Sequence, residues 1–237
     1  MNQDYDEATA CHYLAFRPAL HRSILELAFE KNECFSAALD VGCGAGHSTR
    51  ALTRYCDTVV GIDSSAAMIA ACEPVPGAKF LVQDLNEGSI DQSFGEVGFD
   101  LFTFAGSLHY QDPKAVMKVI SRLAAPEGAA VVYDFNARLE PVFELLGRQP
   151  ELGNYDHAKN FDSVKKDRFQ KERSLQATLP FSANPEEIAH LLLSVREWRE
   201  GLLADYGHAE LVAIIAANSA PRSLLQADVW VTRYALR

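Results

Sequence analysis

Between residues 37 and 135 short apolar runs alternate with helix-patterned stretches, and this alternation limits the fold more than any other feature. Ala37-Ala-Leu-Asp-Val-Gly42 stops at glycines and reads as a buried strand. A helix follows over about Gly46–Cys56, with Ala51, Leu52 and Tyr55 on one face. Thr58–Asp63 reads as a second strand. Ser64 and Ser65 are N-cap residues for a helix over Ala66–Glu73, which Pro74–Gly77 break. Ala78–Gln83 and Phe99–Ala105 are the third and fourth strands. Asp112-Pro113 sets a cap and an N1 proline for a helix to about Ala124. Ala125-Pro-Glu-Gly128 turns the chain into a fifth strand, Ala129–Phe135. Strands and helices alternating at this spacing give βαβ units, hence a parallel sheet with helices on both faces.

Beyond residue 135 the pattern loosens. Arg168–Phe181 alternates as a strand would. Asn184-Pro-Glu-Glu187 combines an Asn cap, Pro at N1 and Glu at N3, and starts a helix that continues to about Tyr206. Residues 208–218 read as helix and Leu224–Leu236 as a final strand containing Trp230.

Composition narrows the functional classes. The 237 residues carry 22 Lys and Arg against 32 Asp and Glu, a net charge of −10, which repels nucleic-acid phosphates and anionic lipid. The basic cluster Lys165, Lys166, Arg168, Lys171 and Arg173 alternates with Asp167 and Glu172 and reads as solvated surface. Neither a nucleic acid nor a membrane is expected as partner. Cys11, Cys34, Cys43, Cys56 and Cys72 are odd in number and form no C-x-x-C, so neither a disulfide framework nor a metal site is expected. The N-terminus lacks the basic and apolar regions of a signal peptide, and a cytoplasmic location is expected.

In an open parallel sheet, ligands bind beyond the carboxyl ends of the strands. The first strand here ends in Asp40-Val-Gly-Cys-Gly-Ala-Gly-His47, the second in Asp63, the third in Asp84. Glycines permit a tight turn and close backbone approach. A carboxylate at Asp63 can accept both hydroxyl hydrogens of a ribose, and one at Asp84 can accept from an adenine amine. A dinucleotide site would require G-x-G-x-x-G, but the third position counted from Gly42 is His47, and the spacing is G-x-G-x-G. No G-K-[S/T] follows, which excludes a P-loop.

Leu39–His47 resembles the first motif of class I S-adenosylmethionine-dependent methyltransferases. Val60-Gly-Ile-Asp-Ser-Ser65 is similar to their second motif and Gln83-Asp-Leu85 to their third. Phe99–Tyr110 resembles the fourth-strand motif of the small-molecule, methyltransferase type 11-like branch. The resemblance covers about residues 35–135. It implies a Rossmann-like sheet of seven mostly parallel strands with the last antiparallel, Leu224–Leu236 joining it and Arg168–Phe181 as the sixth strand.

It also implies roles, with S-adenosyl-L-methionine as cofactor. Asp40 and Gly42, Gly44 and Gly46 would face the methionine end. Asp63, with Ser64 beside it, would hold the ribose. Met68 would cover the adenine face, and Asp84 and Leu85 would meet its edge. Ala105 would lie near the methionine amine. Tyr13 and Arg17-Pro18 resemble a lid segment. The implied division is a helical lid over 1–34, a cofactor core over 35–135, and substrate-pocket helices with the last two strands over 136–237. After the fourth strand, Ala105-Gly-Ser-Leu108 stands where methyltransferases of base and glutamine nitrogens carry an Asn/Asp-Pro-Pro-aromatic motif. A small-molecule substrate follows, methylated by in-line displacement.

His109, with Tyr110 next to it, is the candidate catalytic residue. A His there can take a proton near pH 7, contact substrate or cofactor, or simply pack in the loop. Cys43 reads as a small apolar filler, and Trp198 and Trp230 as core. Two other readings stay open, a cofactor-binding subunit without transferase activity and an NAD-dependent dehydrogenase.

Overall fold

The computed structural model describes residues 7–85, 98–150, 155–163 and 169–236. Of the basic cluster, Lys165, Lys166 and Arg168 lie outside these. Lys171 pairs with Asp162 at 2.7 Å, and Arg173 donates to the Leu27 carbonyl.

Seven strands form one sheet in the order β3-β2-β1-β4-β5-β7-β6. They are β1 (Phe35–Val41), β2 (Cys56–Asp63), β3 (Ala78–Val82), β4 (Phe99–Ala105), β5 (Ala124–Ala137), β6 (Phe169–Ala183) and β7 (Ser223–Leu236). Adjacent pairs among the first five strands are parallel, and the last strand is antiparallel. The helices are α1 (Glu7–Ala15), α2 (His21–Ala28), α3 (His47–Leu52), α4 (Ala66–Ala70), α5 (Pro113–Leu123), α6 (Glu140–Leu145), α7 (Pro185–Leu193), α8 (Arg196–Asp205) and α9 (Gly207–Asn218). Among the described residues, no helix is long and apolar enough to cross a membrane.

The chain divides into two compact units, one of Leu20–Phe135, Asp156–Ala177 and Val229–Arg237, the other of Met1–Ala19, Asn136–Tyr155 and Thr178–Asp228. The first holds most of the sheet. Its core joins Leu39, Val41 and Ile62 to Phe99, Phe102, Phe104 and the inner face of α5. Phe161 completes this core, edge-on to Phe104 and to Tyr234. Asp100 of β4 accepts from the Ser36 and Ala37 amides, which fixes the start of β1.

The second unit is helical, with α1 and α9 both packed on α7. α7 starts with the expected capping box, Asn184 and Glu187 each accepting from the other's amide. Trp198 packs edge-on to Phe143, and the Tyr206 hydroxyl donates to the Leu146 carbonyl.

Several boundaries differ from the sequence reading, among them the helix read on from Asn184 to Tyr206, which breaks into α7 and α8 where Val195 is extended. α3 stops at Leu52, not Cys56, because the Tyr55 carbonyl is taken by Phe35 N and Cys56 already belongs to β2. α4 ends at Ala70 rather than Glu73. β5 begins at Ala124: the turn-forming residues 125–128 form an irregularity between Phe99↔Ala124 and Leu101↔Ala129, with Glu127 at φ 60°.

Candidate functional site

The sheet reverses its winding between β1 and β4, where an open parallel sheet binds its ligand. The glycine loop leaves β1 at this point. Gly42, Gly44 and Gly46 all have positive φ, at 70°, 53° and 84°, so the loop turns in a conformation that side chains disfavour. A Cβ at Gly42 would also collide with Ser107, whose hydroxyl donates to the Val41 carbonyl.

The loop's amides are largely engaged from within. Gly42 N and Cys43 N donate to the Ile62 carbonyl, Gly46 N to the Cys43 carbonyl, and Gly44 N to Asp63 Oδ2 at 2.9 Å. Asp63 Oδ1 accepts from Ser65 N. Asp63 therefore clamps the loop, and two of the roughly four acceptor positions of its half-buried carboxylate remain. Ser65, not Ser64, caps α4: its hydroxyl accepts from Met68 N, while Ser64 is exposed.

Asp40, expected to face the methionine end of a cofactor, is held by side chains of the protein itself. It is fully buried, and its carboxylate accepts from the hydroxyls of Ser48, Thr49 and Thr103 at 2.6, 2.7 and 2.8 Å. Burial pushes its carboxyl above the ordinary range, with the charge of Asp63 adding to the rise and the three hydroxyls opposing it. Its role is to pin the start of α3 to β1 and β4.

Asp84 lies half-buried just past β3. The Leu85 side chain is in the core, which leaves its backbone for an edge contact. Met68 is the buried residue of α4. Ala105 ends β4, partly exposed. His109 and Tyr110 follow in a 3-10 turn, Leu108–Tyr110, with their rings edge to face. Lys159 Nζ donates to the His109 carbonyl at 3.0 Å. Tyr13 and Arg17 belong to the helical unit, where the Arg17 guanidinium lies over the Tyr13 ring at 5.0 Å.

Cys43 is a buried filler, as its size suggests. Burial and the charges of Asp40 and Asp63 push its thiol far above the ordinary range, and burial first, then Asp100, pushes Cys56 up to about 12. Neither is a nucleophile. Exposed His47 opens α3 and stacks on His21, whose Nδ1 is 3.0 Å from the Tyr133 hydroxyl.

One pair has no counterpart in the sequence reading. His157 Nδ1 lies 2.9 Å from Oδ2 of Asp134, a nearly buried residue of β5. The His157 ring stacks on Trp230, with centroids 5.3 Å apart and planes 13° apart. Trp230 is thus a platform for an imidazole rather than a core residue. Asp134 borders the end of β4: a Cβ on Gly106 would be 3.0 Å from its Oδ1. An acidic residue near the end of a fifth strand was a usable signal, parallel to Asp63 and Asp84. His157, in the irregular segment, gave none.

Residues 39–132 match the family described as a methyltransferase domain. The chain carries a class I S-adenosylmethionine-dependent methyltransferase domain. It is 31% identical over 132 residues to the ubiquinone biosynthesis O-methyltransferase of Methylococcus capsulatus, covering 51% of this chain and 55% of that one. Identity to the 2-methyl-6-phytyl-1,4-hydroquinone methyltransferase of Synechocystis sp. is 35% over 109 residues, 44% of this chain and 33% of the other. The matched segments therefore span between a third and about half of these relatives. A solved structure from Anaeromyxobacter dehalogenans, of a protein assigned as a type II methyltransferase, shares the fold. Its TM-score is 0.63 at 18% identity, over 94% of this chain and 98% of that one.

Proposed function

We propose that this methyltransferase domain binds S-adenosyl-L-methionine at the β1–β4 edge and transfers its methyl group to a small molecule by in-line displacement. The observation that carries the reading is the chemistry of the edge. Four loop amides, those of Gly42, Cys43, Gly44 and Gly46, are engaged internally and are not offered to a pyrophosphate. The edge offers acceptors instead: loop carbonyls and the strand-end carboxylates of Asp63 and Asp84. An ammonium, two ribose hydroxyls and an adenine amine are the matching donors. When bound, the cofactor supplies a methyl group on a sulfonium, with a good leaving group already in place.

The chain's own task is then to align the acceptor and exclude water, and alignment can supply roughly 7–11 kcal/mol. Where the acceptor must lose a proton, His157 takes it. Asp134 lies against Nδ1 and orients the ring, Trp230 stacks on its face, and Nε2 acts as the base. His109 and Tyr110 then serve as contacts at the end of β4. Two of the relatives, the two described above, are named for quinone chemistry, so phenols and hydroquinones are the first acceptors to try.

A screen of acceptors with labelled S-adenosylmethionine tests both parts. Once an acceptor is found, His157→Gln should lower turnover by about 10²–10⁴-fold with cofactor affinity unchanged. His109→Gln should lower turnover far less than His157→Gln does. The reverse pattern would assign the base to His109. Cofactor binding with no transfer to any acceptor would instead favour a non-catalytic binding subunit.

A further inference from the structure

Three histidines far apart in sequence meet in the helical unit: His12 on α1, His190 on α7 and His208 at the start of α9. One nitrogen from each lies within 4.8 Å of the others. His12 Nδ1 and His190 Nδ1 are 2.9 Å apart, and the three rings have centroids 5.1, 5.3 and 6.0 Å apart. All three side chains are half-buried. Glu186 Oε1 stands 3.6 Å from His190 Nε2 and 3.4 Å from His208 Nε2. His208 Nε2 is itself buried and makes no hydrogen bond of good geometry.

We propose that His12, His190 and His208 bind a divalent cation of the zinc class, with Glu186 in support. Imidazole is the ligand that late first-row cations prefer, and three imidazoles with one open position form a familiar zinc donor set. Four tetrahedral donors at about 2.05 Å from zinc stand roughly 3.4 Å from one another. Small side-chain rotations bring 4.8 Å to that value, and half-buried rings have room for them. The tautomers agree. A proton on His190 Nε2 faces Glu186 and leaves Nδ1 to ligate, the usual way a carboxylate orients a metal-bound histidine. Buried Arg199 lies close enough to act on His12 as a like charge. It opposes a dication and sets the affinity below that of an all-anionic site. The cation would tie α1 to α7 and α9, a staple independent of the methyl-transfer edge.

Calorimetric titration of the tag-free chain with zinc chloride tests this. One zinc per chain should bind, and His12→Gln, His190→Gln and His208→Gln should each weaken it at least tenfold. Glu186→Gln should weaken it about 10–100-fold, the usual effect of a supporting carboxylate. Cys11→Ser, which alters the exposed thiol beside His12, should leave it unchanged. Circular dichroism identifies any variant that fails to fold. Cobalt substitution in the unaltered chain then decides: four-coordinate d–d bands without thiolate charge transfer support the site. No zinc binding, a thiolate band, or loss of binding only in Cys11→Ser would overturn it.

Discussion

The amides of Gly44 and Ser65 sit on the two carboxylate oxygens of Asp63. Asp63→Ala should weaken S-adenosylhomocysteine by about 1.5–3 kcal/mol, roughly 10–150-fold, the cost of losing hydrogen bonds to a charged group. Equilibrium unfolding should also show a loss of about 1 kcal/mol or more, because the loop loses its clamp. Asp40 gives a different pH signature. Its folded pKa lies above the unfolded one, so folding takes up a proton. That contribution is full below the unfolded pKa and is lost as pH rises through the folded one. The stability of the wild type relative to Asp40→Asn should therefore increase as pH falls from 7 toward 4 in urea titrations. Both aspartates were visible in the sequence as strand-end carboxylates. Their division of labour was not, since it depends on Ser48, Thr49 and Thr103 closing around one of them.

Among the elements, those with local punctuation were readable and those decided by distant pairing were not. Asp112-Pro113 and Asn184-Pro185 start α5 and α7 where their caps require. Asn184→Ala should cost about 0.5–2 kcal/mol in thermal or urea unfolding, because the Glu187 amide loses its side-chain acceptor. The β4 bounds follow from a run of apolar residues between Gly98 and Gly106. α3 was overrun because the helical pattern of Ala51, Leu52 and Tyr55 continues past Leu52, while the sheet claims the Tyr55 carbonyl. The insertion of β7 between β5 and β6 was not readable, since no local signal in Ser223–Leu236 names its neighbours. The Asp134–His157 pair and the three-histidine cluster have the same cause: 23 and 178 residues separate the bonded partners, and spacing carries no information at that range.

At the scale of the whole molecule, a net charge of −10 and a sheet edge rich in acceptors point the same way. Both disfavour phosphate-bearing ligands and suit a cofactor that presents donors and a positive sulfonium. This edge, with its G-x-G-x-G loop clamped by Asp63, should take S-adenosylmethionine and refuse a dinucleotide. Calorimetric titration of the purified chain with S-adenosylhomocysteine and, separately, with NAD tests it most directly. Saturable one-to-one binding of S-adenosylhomocysteine, weakened in Asp63→Ala, is expected, with no heat of binding from NAD. Tight NAD binding with no response to S-adenosylhomocysteine would contradict it.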